Sequence, residues 1–204
     1  MHLKSVQNQV YNKITKHKRG MLFFPSDFSA AGSVLAVNTA LSRLEKEQVI
    51  ERIAQGIYLY PKKDPLFGSL YPSTEDIAAH IAKRDHARIL PTGATALQKL
   101  GLSTQVPMNL VYLTDGAPRK IRIGKQSITF KPTTAKRLAT KGPISSLVIQ
   151  ALQELGKAKV DEDIKERITQ LLQKEKLKYL EHDAKLAPAW ISAILKEAAK
   201  QLTI

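Results

Sequence analysis

Residues 32–60 read GSVLAVNTALSRLEKEQVIERIAQGIYLY, and this stretch predicts the fold of the N-terminal part of the chain. We expect an amphipathic helix that begins at Ser33, because a serine after a glycine is a favourable N-cap. At about 100° per residue, one face of this helix collects the apolar side chains of Val37, Ala40, Leu41 and Leu44. That face is expected to pack into a core.

The opposite face of the predicted helix is polar and carries no acid. Its candidate DNA-binding side chains are Asn38, Thr39, Ser42, Arg43 and Lys46. Short polar groups and cations are the groups that contact base edges and phosphates in a DNA major groove. Leu35 does not fit this pattern, since it projects to the polar face. Two interpretations of Leu35 stay open, namely packing against the preceding helix or contact with a thymine methyl group.

A short β-hairpin is predicted directly after this helix. Ile50 and Arg52 precede a turn at residues 54–56, and an apolar, aromatic strand follows at residues 57–60. A helix followed at once by a hairpin is the back half of a winged helix-turn-helix. The sequence upstream of residue 32 therefore has to supply the front half.

Three elements are expected upstream of residue 32. Ser5 can cap a first helix that Gly20 ends. A short apolar run follows at residues 21–24, and Pro25 opens a second short helix. The predicted order is helix, short strand, helix, turn, helix, hairpin. This order is the topology of a winged helix-turn-helix.

Winged modules commonly place the third helix in the major groove and the hairpin on the backbone or in the minor groove. In this arrangement the polar face of the predicted helix contacts base edges, with Lys46 nearer to phosphates. Gln55 at the hairpin turn is a candidate minor-groove contact. Further phosphate contacts are expected from Lys13, Lys16, Lys18 and Arg52. The alternative is that the module binds another protein and that its polar face is only solvated.

The bulk composition also indicates a polyanionic partner. The 204-residue chain carries 32 Lys and Arg against 18 Asp and Glu, a formal net charge of +14, and so basic a chain most often binds nucleic acid. It contains no cysteine, which excludes disulfides and thiolate metal sites and favours a cytoplasmic location. No signal-peptide core or membrane-spanning apolar stretch is recognised, so no membrane partner is expected.

A segment rich in proline, glycine and charge at residues 60–72 predicts a boundary between two domains. We place a winged helix-turn-helix DNA-binding domain at residues 1–66. A second α+β domain, with a helical tail, is placed at residues 67–204. The predicted fold class is therefore α+β throughout.

The second domain is predicted to combine helices with a strand and a basic hairpin. Ser73 and Asp76 have the spacing of a capping box, and Thr92 is expected to cap the next helix. Residues 109–114 are predicted as a strand, and residues 119–131 as a hairpin around a Gly-Lys turn. Three helices are expected in the tail, at residues 144–155, 161–172 and 187–202.

Every charged side chain between residues 117 and 142 is basic. The candidates on the predicted hairpin are Arg119, Lys120, Arg122 and Lys125. Three interpretations stay open: the hairpin extends a DNA footprint, it receives an acidic protein, or it is a solvated face.

No motif for a cofactor, a metal or a covalent nucleophile is recognised. The five histidines lack metal-ligand spacing and a paired carboxylate. Asp163 and Lys165 superficially match the acid-x-Lys element of nucleases, but residues two apart diverge on a helix. No strand-borne acid precedes them. We therefore expect a protein that is not an enzyme.

Two strings carry a resemblance to a known family: residues 36–61, AVNTALSRLEKEQVIERIAQGIYLYP, and residues 87–116, ARILPTGATALQKLGLSTQVPMNLVYLTDG. They resemble the AbiEi family of antitoxins and transcriptional regulators, in particular its small members with a winged-helix front and a compact α/β back domain. The resemblance implies a type IV toxin–antitoxin-like repressor that binds inverted repeats at its own operon. It also implies that the back domain counteracts a nucleotidyltransferase-like toxin.

Carried onto this chain, the family's DNA-binding role falls on the polar helix face and on Arg52 and Gln55. The antitoxin role falls on Arg88, Thr92 and Thr95, and on the basic hairpin. Two copies are expected on the inverted repeat, as a weak homodimer or through cooperative binding to DNA. No cofactor is implied.

Two other functions stay open. The first is a stand-alone winged-helix transcriptional regulator whose second domain senses a ligand or mediates oligomerisation. The second is a nucleic-acid-processing enzyme. A neighbouring reading frame for a nucleotidyltransferase-like protein would favour the antitoxin, and a nuclease assay with and without magnesium would test the enzyme.

Overall fold

The computed structural model describes residues 5–202 and shows a mixed α+β fold, as the sequence predicts. The chain divides into two compact units. The first consists of Met1–His80 with Ile121–Gly124, and the second of Ile81–Lys120 with Lys125–Ile204. The division into domains after residue 66 stays a prediction.

The first unit begins with the elements that its sequence predicts. In chain order they are α1 (Val6–Thr15), β1 (Leu22–Phe23), a 3-10 helix (Pro25–Ala31), α2 (Val34–Lys46), β2 (Glu51–Ala54) and β3 (Ile57–Leu59). Both predicted serine caps are present: Ser5 Oγ accepts the Asn8 N–H at 3.2 Å, and Ser33 Oγ accepts the Ala36 N–H at 3.3 Å. The helices, the short strand and the hairpin predicted for this segment are therefore confirmed.

The core of the first unit lies between its helices and a three-stranded antiparallel sheet of order β1-β3-β2. The apolar face of α2 is buried as predicted, at Val37, Ala40, Leu41 and Leu44. These side chains pack with Val10 and Ile14 of α1 and with Phe28 of the 3-10 helix. Because this packing sets the rotation of α2 about its axis, it also determines which side chains face solvent.

A second hairpin lies within the segment predicted as a linker. Its strands are β4 (Lys62–Asp64) and β5 (Gly68–Leu70), which pair antiparallel. Glu51 of β2 accepts hydrogen bonds from the hydroxyls of Ser69 and Tyr71, each at 2.6 Å. These bonds, that from Ser69 above all, hold the pKa of the Glu51 carboxyl below its ordinary value. The hairpin is thus tied to β2 through a charged carboxylate.

The elements that follow build the rest of the chain. They are α3 (Thr74–Arg84), β6 (Ile89–Pro91), α4 (Ala94–Lys99), β7 (Asn109–Thr114), β8 (Arg119–Ile123), β9 (Gln126–Pro132), α5 (Pro143–Leu155), α6 (Glu162–Leu172), α7 (Leu177–Ala184) and α8 (Ala189–Gln201). The strands β6 to β9 form a four-stranded sheet of order β6-β7-β9-β8. In it β6 runs antiparallel and β9 parallel to β7. The predicted strand, hairpin and three tail helices are confirmed, whereas α7 was not predicted.

Gly93, and not Thr92, is the N-cap of α4. The predicted cap at Thr92 is therefore wrong. The backbone of Thr92 still belongs to the sheet, because its N–H donates to the carbonyl of Val111 at 3.0 Å. The chain turns at Gly93, whose φ of 57° lies in the left-handed region that favours glycine.

The core of the second unit lies among its helices. Fully buried members include Leu152 of α5, Ile168 of α6, Leu180 of α7 and Leu195 of α8. Trp190 packs against this cluster while remaining partly exposed. Within residues 5–202, none of the helices has the length and apolar character that crossing a membrane requires.

Helix α5 begins without a capping side chain, because Gly142 is its N-cap and Pro143 its first residue. Its first N–H groups must therefore find acceptors elsewhere in the chain. Glu175, which is 7 % exposed, accepts the N–H groups of Ile144 and Ser145 at 2.8 and 3.3 Å. A carboxylate at this end also complements the helix dipole.

Asp183 of α7 completes the same polar cluster and is fully buried. It accepts the backbone N–H groups of Lys141 and Gly142, both at 2.9 Å, and the hydroxyl of Ser145 at 2.6 Å. His182 Nδ1 lies 2.8 Å from the other side of the carboxylate. The hydroxyl of Ser145 and the imidazole of His182 thus contact different oxygens of the same carboxylate. The cluster holds the start of α5 in place.

Candidate nucleic-acid interface

The predicted polar face of α2 lies on the surface of the first unit. All five candidate side chains on this helix are exposed: Asn38, Thr39, Ser42, Arg43 and Lys46. They are turned outward because Val37 and Leu41 are fixed in the core. The surface thus presents one amide, two hydroxyls and two cations, which together can donate to and accept from base edges and phosphates.

Thr39 differs from its neighbours in what it can offer a base. Its Oγ1 donates to the carbonyl of Leu35 at 2.9 Å, one turn earlier in α2. The hydroxyl proton is therefore used inside the helix. Thr39 keeps acceptor lone pairs and a methyl group for a partner, and Asn38, Ser42 and Arg43 remain as the donors of the central part of the face.

The N-terminal end of α2 is apolar and open to solvent. Val34 and Leu35 are 76 % and 79 % exposed. So exposed a side chain is not packed against the preceding 3-10 helix, which removes one of the two interpretations of Leu35. The exposed apolar pair adjoins the polar face.

The C-terminal end of α2 is basic on its outer face. Arg43 and Lys46 lie in the last turn, where cations also complement the helix dipole. The two acids at this end are engaged or partly covered: Glu47 accepts a hydrogen bond from Gln7 Nε2 at 2.9 Å, and Glu45 is half-buried. Glu47 is exposed beside the two cations, whereas the face formed by the five candidate side chains carries no acid itself, as the sequence predicts.

The three candidate lysines near the end of α1 are all exposed, but they are not equivalent. Lys13 Nζ donates to the carbonyl of Asp27 and lies 5.6 Å from the centre of the Phe28 ring. One of the three N–H donors of Lys13 is therefore already bonded within the unit. Lys16 and Lys18 follow the last turn of α1, so they are the better placed of the three.

The hairpin β2–β3 carries the remaining two candidates of the first unit. Arg52 is exposed on β2, opposite Tyr58 of β3. The pairing shifts by one residue between Arg52 and Ala54, an irregularity that increases strand twist. Gln55 is exposed in the turn, followed by Gly56 with a φ of 68°. Both side chains are accessible to a ligand.

Arg88 of the second unit is exposed but already paired. Its N–H and its Nε donate to the Asp115 carboxylate at 2.7 and 2.8 Å. These hydrogen bonds hold the pKa of Asp115 below its ordinary value, with the side-chain bond contributing most. Arg88 can contact a partner, but its charge is partly neutralised by Asp115.

The two threonines assigned to partner binding differ in accessibility. Thr95 is only 1 % exposed, on α4 where that helix packs against α5. Its predicted contact with a partner is corrected to a packing role, because a partner cannot reach a buried hydroxyl. Thr92 is half-buried, so only part of its side chain is available.

Arg119 is likewise turned inward, unlike the other cations of the basic hairpin. Its guanidinium pairs with Asp85 and lies 5.4 Å from the centre of the Phe130 ring. Burial, followed by the nearby charge of Arg84, lowers the pKa of Arg119. Its predicted place in an exposed cationic patch is therefore wrong. Three exposed cations remain in the hairpin: Lys120, Arg122 and Lys125.

The nuclease-like residues Asp163 and Lys165 of α6 do not pair with each other. Lys165 Nζ lies 2.5 Å from Glu162 Oε1, so its partner is the acid one turn earlier and not Asp163. Over the part of the chain that the structure describes, no group of three His, Asp or Glu side chains is placed to hold a metal ion.

Comparisons with known proteins give a family and a weak structural likeness. No curated protein matches the chain. The RV2827C protein from Mycobacterium tuberculosis, known from a crystal structure, is similar with a TM-score of 0.46 and 14 % identity, over 94 % of this chain and 80 % of that one. The sequence also matches a family of unknown function, DUF6088, over residues 9–180. Because this match spans most of its length, the chain belongs to the DUF6088 family.

Proposed function

We propose that the chain is a non-enzymatic protein that binds double-stranded DNA through a winged helix-turn-helix in its first unit. The observation that carries this proposal is the exposed outer face of α2, which combines short polar side chains with two cations. The order of the elements from α1 to β3, with the sheet order β1-β3-β2, supports the same assignment. The formal charge of +14 suits a polyanionic partner.

In this proposal α2 enters the major groove and the β2–β3 hairpin lies beside it. Arg43 suits bidentate recognition of guanine, and Asn38 suits adenine. Lys46, Lys16 and Lys18 contact phosphates. On the hairpin, Arg52 contacts the backbone, and Gln55 at the turn reaches the minor groove.

The resemblance to AbiEi proteins extends the proposal to regulation. We propose a repressor that binds inverted repeats at its own operon and counteracts a nucleotidyltransferase-like toxin. An inverted repeat requires two copies of the protein, related by the same two-fold symmetry as the DNA. The exposed cations Lys120, Arg122 and Lys125 are the candidates for contact with the toxin or for an extended DNA footprint.

A mobility-shift titration at several salt concentrations tests the DNA-binding proposal. Four or five neutralised phosphates per bound copy predict a slope of log K against log[salt] of about −4, since each contributes roughly −0.9. A duplex selected from a random library and a scrambled duplex are titrated in parallel. A slope near zero on both duplexes would contradict the proposal, because the cations of α1, α2 and β2 would then contact no phosphate.

Charge reversal tests the role of the basic hairpin. The triple variant Lys120→Glu, Arg122→Glu and Lys125→Glu is expected to abolish protection against a co-expressed cognate toxin, because it reverses the charge of the proposed contact surface. All three side chains are exposed, so the core is expected to stay unchanged. Growth of cells that carry both genes is the measurement, and DNA affinity is measured alongside it.

A matched triple variant controls for the change in net charge. Lys157, Lys159 and Lys174 are exposed lysines that lie outside the hairpin. Their replacement by glutamate is expected to leave protection intact. Equal behaviour of the two triple variants in both assays would show that the hairpin has no special role.

One observation favours the ligand-sensing alternative. A cleft of about 410 Å³ lies in the second unit, with apolar walls that include Leu90, Leu138 and Leu147. Arg88 and Lys141 also line it, and no Asp or Glu does. Its volume falls within the range of small-molecule sites. A regulator whose second unit binds a small anion with an apolar body is therefore the second candidate function.

A further inference from the structure

The exposed residues of α2 form a continuous line along the helix. Leu35, Thr39, Ser42 and Lys46 are spaced four, three and four residues apart, the spacing that keeps side chains on one face of a helix. At 1.5 Å per residue the line is about 17 Å long. It runs from an apolar end through two hydroxyl-bearing residues to a cation.

Among residues 5–80, none covers the apolar end of this line. Val34 and Leu35 are 76 % and 79 % exposed. Single exposed leucines are ordinary on protein surfaces. Here, however, two large apolar side chains are consecutive and share a surface with the DNA-binding candidates Asn38 and Thr39.

The major groove offers one apolar group to such a surface. That group is the C5 methyl of thymine, while the other groups at the base edges are hydrogen-bond donors and acceptors. The N-terminal residues of a recognition helix are commonly the ones that reach base edges. Thr39 adds a methyl group beside Leu35, because its hydroxyl proton is bonded to the Leu35 carbonyl.

We propose that Val34 and Leu35 bind thymine C5 methyl groups, so that the target duplex contains thymines opposite the N-terminal end of α2. This inference rests on the proposed DNA-binding function and adds a specificity to it. The readout is apolar and depends on a single methyl group per base. It is therefore separable from the phosphate contacts, which respond to salt.

Deoxyuridine substitution tests the inference. Uracil pairs like thymine but lacks the C5 methyl group. In a duplex selected from a random library, each thymine is replaced in turn by deoxyuridine, and the affinity of the full-length protein is measured at fixed salt. At one or two positions we expect wild-type binding to weaken about fourfold, the value that corresponds to one apolar carbon removed from contact.

The matching protein variant identifies the side chain that reads the methyl group. In Leu35→Ala, substitution at the sensitive position is expected to have no further effect, while substitution at other positions behaves as in the wild type. Leu66→Ala is the control, because Leu66 is 87 % exposed in the same unit and undergoes the same truncation. That variant is expected to keep the full thymine-to-uracil difference.

The outcomes separate this inference from the function on which it rests. If the affinity of the wild type is the same with uracil as with thymine at every position, the proposed recognition of methyl groups is wrong. DNA binding itself is then unaffected. A thymine preference that persists in both Val34→Ala and Leu35→Ala overturns it as well. Self-association of the free wild-type protein that Leu35→Ala abolishes assigns the apolar pair to a protein contact instead. Failure to bind any duplex overturns the proposed function itself.

Discussion

Asp183→Ala is expected to lower the free energy of unfolding of the second unit by about 3–5 kcal/mol, the cost of breaking a buried, hydrogen-bonded charge cluster. Asp183 is fully buried and accepts two backbone N–H groups and the hydroxyl of Ser145. Alanine leaves these donors without an acceptor at the start of α5. Urea denaturation followed by circular dichroism measures the change.

A matched variant distinguishes this effect from the loss of any acid. Asp163 is an exposed acid on α6 of the same unit, and Asp163→Ala is expected to change the free energy of unfolding by less than about 0.5 kcal/mol. Asp183→Asn keeps the size of the side chain but directs an amide at one of the donors, so we expect an intermediate loss. Equal midpoints for the Asp163 and Asp183 alanine variants would show that the cluster does not stabilise α5.

The role of Asp183 as an acceptor for α5 could not be predicted from the sequence. The need for such an acceptor, however, can be recognised there. Gly142 followed by Pro143 begins a helix without a capping side chain, so an acceptor from another part of the chain is required. Which acid supplies it depends on α7, an element that was not predicted. Asp183 lies about 40 positions away from the backbone N–H groups that donate to it.

Local patterns predicted α2 because everything that defines it is close in sequence. Its cap at Ser33, its apolar spacing and its exposed face follow from residues within four turns. The β2–β3 hairpin follows from a short turn in the same way. In contrast, the hairpin β4–β5 is held by hydrogen bonds from Ser69 and Tyr71 to Glu51, about 20 positions earlier. Its proline, glycine and charged residues led to the prediction of a linker instead of a hairpin.

The candidate contact residues between residues 88 and 125 show the same contrast between local and long-range determinants. The sequence shows a run of basic residues between residues 117 and 142, but it does not show which of their side chains are exposed. Arg119 pairs with Asp85, which lies 34 positions earlier. Thr95 is buried on α4, a helix that packs against α5. Lys120 and Arg122 stay exposed. The sequence of one strand shows which residues are basic. Whether their side chains are exposed depends on contacts with residues that are distant in sequence.

Arg43→Ala is expected to weaken binding to a selected duplex by about 1–3 kcal/mol, if Arg43 donates to a base edge. Arg43 is exposed near the C-terminal end of the line that α2 presents, and its guanidinium suits the two acceptors of guanine. The loss should be smaller on a scrambled duplex, because the base that it recognises is then absent from its position. Fluorescence anisotropy at several salt concentrations, with both duplexes, provides the measurement.

The salt dependence of the same variant decides between the two roles of this cation. A base contact leaves the slope of log K against log[salt] nearly unchanged, whereas the loss of a phosphate contact makes it shallower by about one unit. Arg167→Ala removes an exposed arginine from α6 and controls for net charge. Equal losses on both duplexes, together with a shallower slope, would place Arg43 on the phosphate backbone. Specificity would then have to come from Asn38, Ser42 and the apolar end of α2.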